Sequence, residues 1–120
     1  FETTLATKTY RQKVKFAKEN NYNTTLLFFW LRNSNLAKER VKTRVKEGGH
    51  NIPNDIIERR YMNGIKNLFD IYLEIVDQVL IFDNSEGKPI LIAEKNFEEE
   101  IVIHNLEKFN DLKSYYDKRS

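Results

Sequence analysis

Leu26-Leu27-Phe28-Phe29-Trp30-Leu31 is the stretch that most limits what this chain can fold into. An unbroken apolar run rich in aromatics, preceded by Thr24-Thr25, reads as a β-strand. Without polar alternation, it reads as a strand covered on both faces, the kind found inside parallel sheets. Parallel neighbours need long crossover connections, usually helical, so the run predicts an α/β fold. It is far shorter than the roughly 20 residues of a membrane span. No signal peptide is legible, and a cytoplasmic setting is expected.

The flanking segments fit that scheme. Tyr10, Val14 and Ala17 recur at helical spacing over residues 5–20, with Thr4 or Thr7 as cap and Asn20-Asn21 as exit. Ser34 is expected to cap a helix over 35–47 with Ala37, Val41 and Val45 facing inward, and Gly48-Gly49 stops it. Pro53 suits the first position of a third helix, whose buried side is Ile57, Tyr61, Ile65, Leu68 and Tyr72. Val79-Leu80-Ile81-Phe82 predicts a second buried strand. Asn84-Ser85-Glu86-Gly87 predicts a turn, and residues 89–93 a third strand hairpinned to the second. Ile101-Val102-Ile103 is a short edge strand. Leu106, Phe109, Leu112 and Tyr116 line a last helix. The expected architecture is a mainly parallel sheet with flanking helices, in one domain of 120 residues.

The chain opens on Phe1-Glu2-Thr3-Thr4-Leu5 without Met. A helix beginning near residue 5 of an α/β protein wants a strand before it, so an incomplete domain is expected. With no cysteine and two histidines, a thiolate or His-rich metal site is not expected. Net charge is +2, but residues 1–66 carry fourteen Lys/Arg against six Asp/Glu and residues 67–120 six against twelve. That asymmetry suits an anionic ligand on the basic side; two solvated helix faces are the alternative.

Residues 40–60 hold the densest chemistry. Arg40 and Arg44 are one helical turn apart, Gly48-Gly49-His50 follows, and then Arg59-Arg60. Arginine's planar fork suits phosphate, and a glycine pair can let a loop close over it. An ordinary helical hairpin with solvated arginines and a glycine cap fits the same spacing. Glu2-Thr3-Thr4 and Asp83-Asn84-Ser85 each follow a strand, at the carboxyl ends where open α/β sheets bind ligands. Taken alone, helix capping and turn formation explain them better.

Taken in order, Phe1-Glu2-Thr3-Thr4-Leu5, Arg40-Val41 through Arg44-Val45, Gly48-Gly49-His50-x-Ile52-Pro53, Arg59-Arg60-Tyr61, Asn67-Leu68 and Asp83-Asn84-Ser85 resemble the zeta toxin-like P-loop kinases over about residues 1–95. The resemblance implies a partial P-loop kinase fold with a lid over about 40–61. It implies phosphoryl transfer from ATP, with Mg²⁺, to a sugar nucleotide such as UDP-N-acetylglucosamine or to another hydroxyl acceptor, and in some members an antitoxin partner. By the same resemblance Glu2 and Thr3 fall in the acceptor site. Arg40 and His50 fall where the lid meets the phosphates, with Arg44 and Arg60 as helpers, and Asn84 lies near the adenine. His50 stands where better-known toxins have arginine. The Walker A lysine and catalytic aspartate of such kinases lie upstream of the position matching Phe1, so this chain alone is expected to be inactive. The competing class is a non-catalytic basic module for nucleic acid or an acidic protein, which would need exposed aromatics beside its cations. The aromatics fall mostly on core stripes, so nucleic acid is not the expected partner.

Overall fold

The apolar run does form a strand, β1 (Thr25–Trp30), but at the edge of the sheet. In the computed structural model, which describes residues 9–119, the sheet has four strands in the order β1, β2 (Gln78–Asp83), β3 (Ile90–Lys95) and β4 (Val102–Ile103). β1 pairs with β2 in parallel, and β2/β3 and β3/β4 are antiparallel. The sheet is therefore mixed, with one parallel pair, and the expectation of a mainly parallel sheet is corrected. The reason is the connection after β2. Asn84–Pro89 is a tight turn, with Gly87 at φ +78°, and a turn that short allows only an antiparallel return.

The crossover from β1 to β2 carries α2 (Ser34–Lys46) and α3 (Asn54–Asn67). α3 runs on through a π-helical turn at Leu68–Tyr72 and a last short turn, α4 (Leu73–Ile75). The wider turn admits an extra residue into the apolar stripe. Leu68, Ile71, Tyr72 and Val76 all reach the core. α1 (Thr9–Glu19) precedes β1 and α5 (Leu106–Arg119) closes the chain. No described helix is long and apolar enough to cross a membrane.

One core forms between the sheet and α3, α1 and α5. Trp30, Val79, Ile81, Ile92 and Ala93 come from the strands, and Ile65, Leu68, Tyr72, Phe109 and Leu112 from the helices. A register shift at Ile81/Phe82 puts both Ile92 and Ala93 inside. The helix ends follow local chemistry. Asn21 takes φ +61°, and Tyr22 N–H donates to the Ala17 carbonyl, which closes α1 as its two asparagines suggest. α2 is capped by Asn33, whose Oδ1 accepts from Leu36 N–H at 3.0 Å, so Ser34 is its first residue and not its cap. Pro53 sits just before α3. α2 leans on α3 and has no buried residue, so the expected stripe is only partly realised: Ala37 and Val41 are half-buried and Val45 is exposed.

The second correction concerns β1, which is covered on one face. Leu26, Phe28 and Trp30 face the core, while Leu27 and Phe29 are 49% and 47% exposed. The register carries the open face across the sheet through Leu80, Phe82 and Leu91. Phe29 stacks on Phe82 with ring centroids 5.2 Å apart. The described helices that contribute to the core pack on the opposite face, with Leu26, Phe28 and Trp30. An uncharged, proline-free edge next to an open apolar face favours association. Light scattering is expected to show species larger than a monomer, and the double variant Leu27→Lys/Phe29→Lys should shift the population toward monomer. A monodisperse parent chain would contradict this.

Candidate functional site at the carboxyl ends of β1 and β2

A parallel pair brings both carboxyl ends to one side of the molecule, and the crossover helices begin there. Thr24 and Asp77 fix the register at the other end. Thr24 N–H donates to Asp77 Oδ2 at 2.7 Å, and Asp77 N–H donates to Thr24 Oγ1 at 3.0 Å. At the carboxyl side Asn84 N–H donates to the Trp30 carbonyl at 2.8 Å, extending the ladder by one bond.

Arg40 reaches from α2 across this junction. Its Nη2 donates to the Asn84 carbonyl at 2.7 Å. The structure thus brings together two of the residues singled out from the sequence. Asn84 Oδ1 is buried and has no hydrogen-bond partner among the described residues, an acceptor awaiting a donor. Ser85 Oγ accepts from Arg32 N–H at 3.0 Å, and Arg32 lies 3.8 Å from Glu86 in an exposed ion pair.

Arg44 lies one turn along α2 from Arg40, His50 on the loop beyond Gly49, and Arg60 on α3; all three side chains are exposed. Among the described residues no hydrogen bond or ion pair joins them to Arg40 or Asn84. Glu2 and Thr3 fall outside the described residues. The glycine pair first of all terminates α2. Gly48 takes φ +96° and donates to the Val45 carbonyl at 3.1 Å, while Gly49 N–H donates to the Arg44 carbonyl at 2.6 Å. This is a Schellman cap, and it fixes the backbone of Arg44. A Cβ at Gly49 would sit 2.8 Å from that carbonyl oxygen, so position 49 has no room for a side chain.

Several residues hold the site in place; the sequence singles out Asp83, with Asn84 and Ser85, but not Lys108 or Tyr115. Asp83, the last residue of β2, is 2% exposed, and Lys108 of α5 donates to its Oδ2 at 2.7 Å. Its Oδ1 accepts from Ser85 N–H at 3.0 Å and from the Ser85 hydroxyl. Burial pushes the Asp83 carboxyl upward, but Lys108 and Ser85 outweigh it and hold the group below the usual carboxylate range. Tyr61 of α3 donates to the Leu31 carbonyl at 2.5 Å and accepts from Trp30 Nε1 at 3.1 Å. Burial holds its hydroxyl far above the usual phenol range. Tyr115 of α5 donates to the Arg32 carbonyl at 2.6 Å. A charged residue closing an apolar strand, as Asp83 does, signals an ion pair in sequence. Nothing local points to Lys108 or Tyr115.

Two shallow depressions lie at the opposite, amino ends of β1 and β2, where Asp77, Asn23 and Phe97 are common to both. They are poor candidates, because the Asp77 carboxylate there is already occupied by Thr24 and lies 3.8 Å from Lys18 Nζ. Among the described residues no group of three or more His, Cys, Asp or Glu side chains is placed to hold a metal ion.

No protein-family model and no solved structure matches the chain. It is similar to a Haemophilus influenzae protein described as an uncharacterized protein, 38% identical over 60 residues. That match covers 50% of this chain and 43% of the relative, so the chain spans less than half the length of the protein it matches.

The site yields two expected outcomes. Replacing Lys108 by Met leaves a buried, uncompensated carboxylate. The cost should be about 3 kcal/mol, the lower end for a broken buried pair because Lys108 is itself partly exposed. Since the folded-state value of Asp83 lies below its unfolded value, its contribution is fully present above the ordinary carboxylate range. It is lost as pH falls below about 4. Urea melts from pH 7 down to pH 3 should show that acid loss in the parent chain and a shallower one in Asp83→Asn. Separately, Gly49→Ala should fray the end of α2 and lower stability by about 1–3 kcal/mol, because the added Cβ would overpack against the Arg44 carbonyl. Gly48→Ala, which meets no atom but must hold a positive φ, should cost about 1 kcal/mol.

Proposed function

We propose that this chain is the C-terminal part of a zeta toxin-like P-loop kinase, with residues of about 40–61 forming the lid that meets the phosphates of ATP. The observation that carries the reading is Arg40. Its guanidinium leaves α2 and is held over the carboxyl end of the parallel β1/β2 pair by the Asn84 carbonyl. Open α/β sheets bind ligands at that end.

On this reading the described residues fit a nucleoside triphosphate. Arg40 sits at the strand ends, Arg44 and Arg60 are exposed cations on the same crossover, and His50 is exposed on the loop between their helices. The unpartnered Asn84 Oδ1 is an acceptor that the adenine amino group would satisfy. Phosphoryl transfer requires positioning and neutralisation of developing negative charge, which lid arginines supply. ATP with Mg²⁺ would supply the transferable phosphoryl group. The lysine cradle, the metal ligands and the strand that lines the free edge of β1 belong to the upstream part of such a kinase. The chain alone is therefore inactive on this reading, and the whole protein is a cytoplasmic transferase acting on a sugar nucleotide or another hydroxyl acceptor, with an antitoxin as a possible protein partner.

One observation favours the basic-module reading. Phe16 and Tyr22, on and just after α1, are 64% and 66% exposed beside Lys13, Lys15 and Lys18. Stacking aromatics among cations suit single-stranded nucleic acid.

Calorimetric titration of the chain with ATP should give millimolar or weaker binding, only about −4 kcal/mol, with no hydrolysis. Arg40→Ala should weaken it further. Micromolar affinity or hydrolysis would overturn the incomplete-site reading, and identical binding by Arg40→Ala would remove the lid assignment. Tight, steeply salt-dependent binding of oligo-dT, lost in Phe16→Ala/Tyr22→Ala, would replace it with the second reading.

A further inference from the structure

Arg40 is presented by α2, which leans on α3 with a Lys38–Glu58 ion pair at 3.3 Å but has no buried residue of its own. Its start is held at the junction Leu31-Arg32-Asn33, where β1 becomes α2. Three hydrogen bonds from outside hold that junction. Tyr61 donates to the Leu31 carbonyl at 2.5 Å, Tyr115 to the Arg32 carbonyl at 2.6 Å, and Arg32 N–H to Ser85 Oγ at 3.0 Å. Asn33 then caps α2 through Leu36 N–H. The other half of the pair, Asn84, follows Asp83, whose carboxylate is gripped by Lys108 at 2.7 Å and also holds Ser85.

Lys108 and Tyr115 both belong to α5. One helix therefore touches the backbone that launches Arg40 and the loop that carries Asn84. The resemblance to kinases ends near residue 95, so it implies no role for α5. We propose that α5 sets the geometry of the carboxyl-end site, with Tyr115 a positioning residue for the start of α2 and Lys108 one for the Asp83-Asn84-Ser85 loop. Its relevance to phosphate binding rests on the reading of Arg40 given above. The geometric claim does not.

Tyr115→Phe is a clean probe. The ring keeps its edge contacts with Tyr61 and Trp30, at centroid distances of 5.7 and 6.5 Å, and only the hydroxyl is removed. Lys108→Met with Lys108→Arg tests the second contact. In nuclear magnetic resonance spectra of the whole chain, Tyr115→Phe should keep a cooperative melt. Leu36 amide exchange should accelerate about fivefold, the worth of one hydrogen bond, and the Arg40 side-chain resonance should shift. Lys108→Met should shift the Asn84 and Arg40 signals, and Lys108→Arg should restore them. Titration with inorganic pyrophosphate then gives the binding arm: affinity should fall severalfold in Tyr115→Phe and Lys108→Met. Unchanged Arg40 and Leu36 signals in Tyr115→Phe would overturn the proposal. So would exchange accelerated uniformly across the core, which marks a merely structural tyrosine. If the parent chain ignores pyrophosphate while the Arg40 signal still moves in both variants, the phosphate reading fails and the positioning role of α5 stands.

Discussion

The parallel pairing of β1 with β2 is the constraint on which the rest depends. Two strands that run the same way cannot be joined by a turn, so the chain must leave the end of β1 and return to the start of β2. The helices α2 and α3 make that return, and the core exists because α3 packs back onto the sheet with α5. The same pairing puts Trp30 and Asp83 opposite each other at the carboxyl ends. Every contact of the candidate site, from Tyr61 on Leu31 to Arg40 on Asn84, is built within a few residues of that pair.

The polar side of the junction is tied by hydrogen bonds from several segments. Buried Asp83 is paired with the partly exposed Lys108, and the Tyr61 and Tyr115 hydroxyls reach backbone carbonyls. Buried polar groups are costly unless paired, and these are paired by residues from four different segments. The exception is Asn84 Oδ1, which lies in the middle of the cluster and has no partner among the described residues. An orphaned acceptor beside an anchored arginine sets this end of the sheet apart from the amino end, where Asp77, Thr24 and Lys18 satisfy one another.

The expectation for β1 failed in an instructive way. Six apolar residues in a row imply cover on both faces, yet Leu27 and Phe29 remain half exposed. Periodicity tells how a strand would like to be buried; it cannot tell whether the covering layer is present. Among the described residues, the core-forming helices lie on one side, and Leu27, Phe29, Leu80 and Phe82 are left on the other. The glycine pair illustrates the reverse. The sequence offered both a hinge and a helix cap, and the structure shows a cap whose second glycine has no space for a Cβ.

The sequence by itself determined the elements: strands where apolar and β-branched residues cluster, helices where they recur at helical spacing, and ends at Asn21, Gly48 and Gly87 through local backbone chemistry. It also singled out Arg40 and Asn84, because charge and position relative to strand ends are properties of short stretches. Only the tertiary structure decided that the sheet is mixed, that β1 is an edge, and that Arg40 meets Asn84 while Arg44, His50 and Arg60 make no hydrogen bond or ion pair with either. It alone revealed Lys108 and Tyr115, which lie far along the chain from Asp83 and Arg32 and carry no local signal. The physical reason is the range of the forces involved. Propensity and capping act over a few residues, whereas pairing, burial and the choice of ion partner depend on which distant segments the fold brings together.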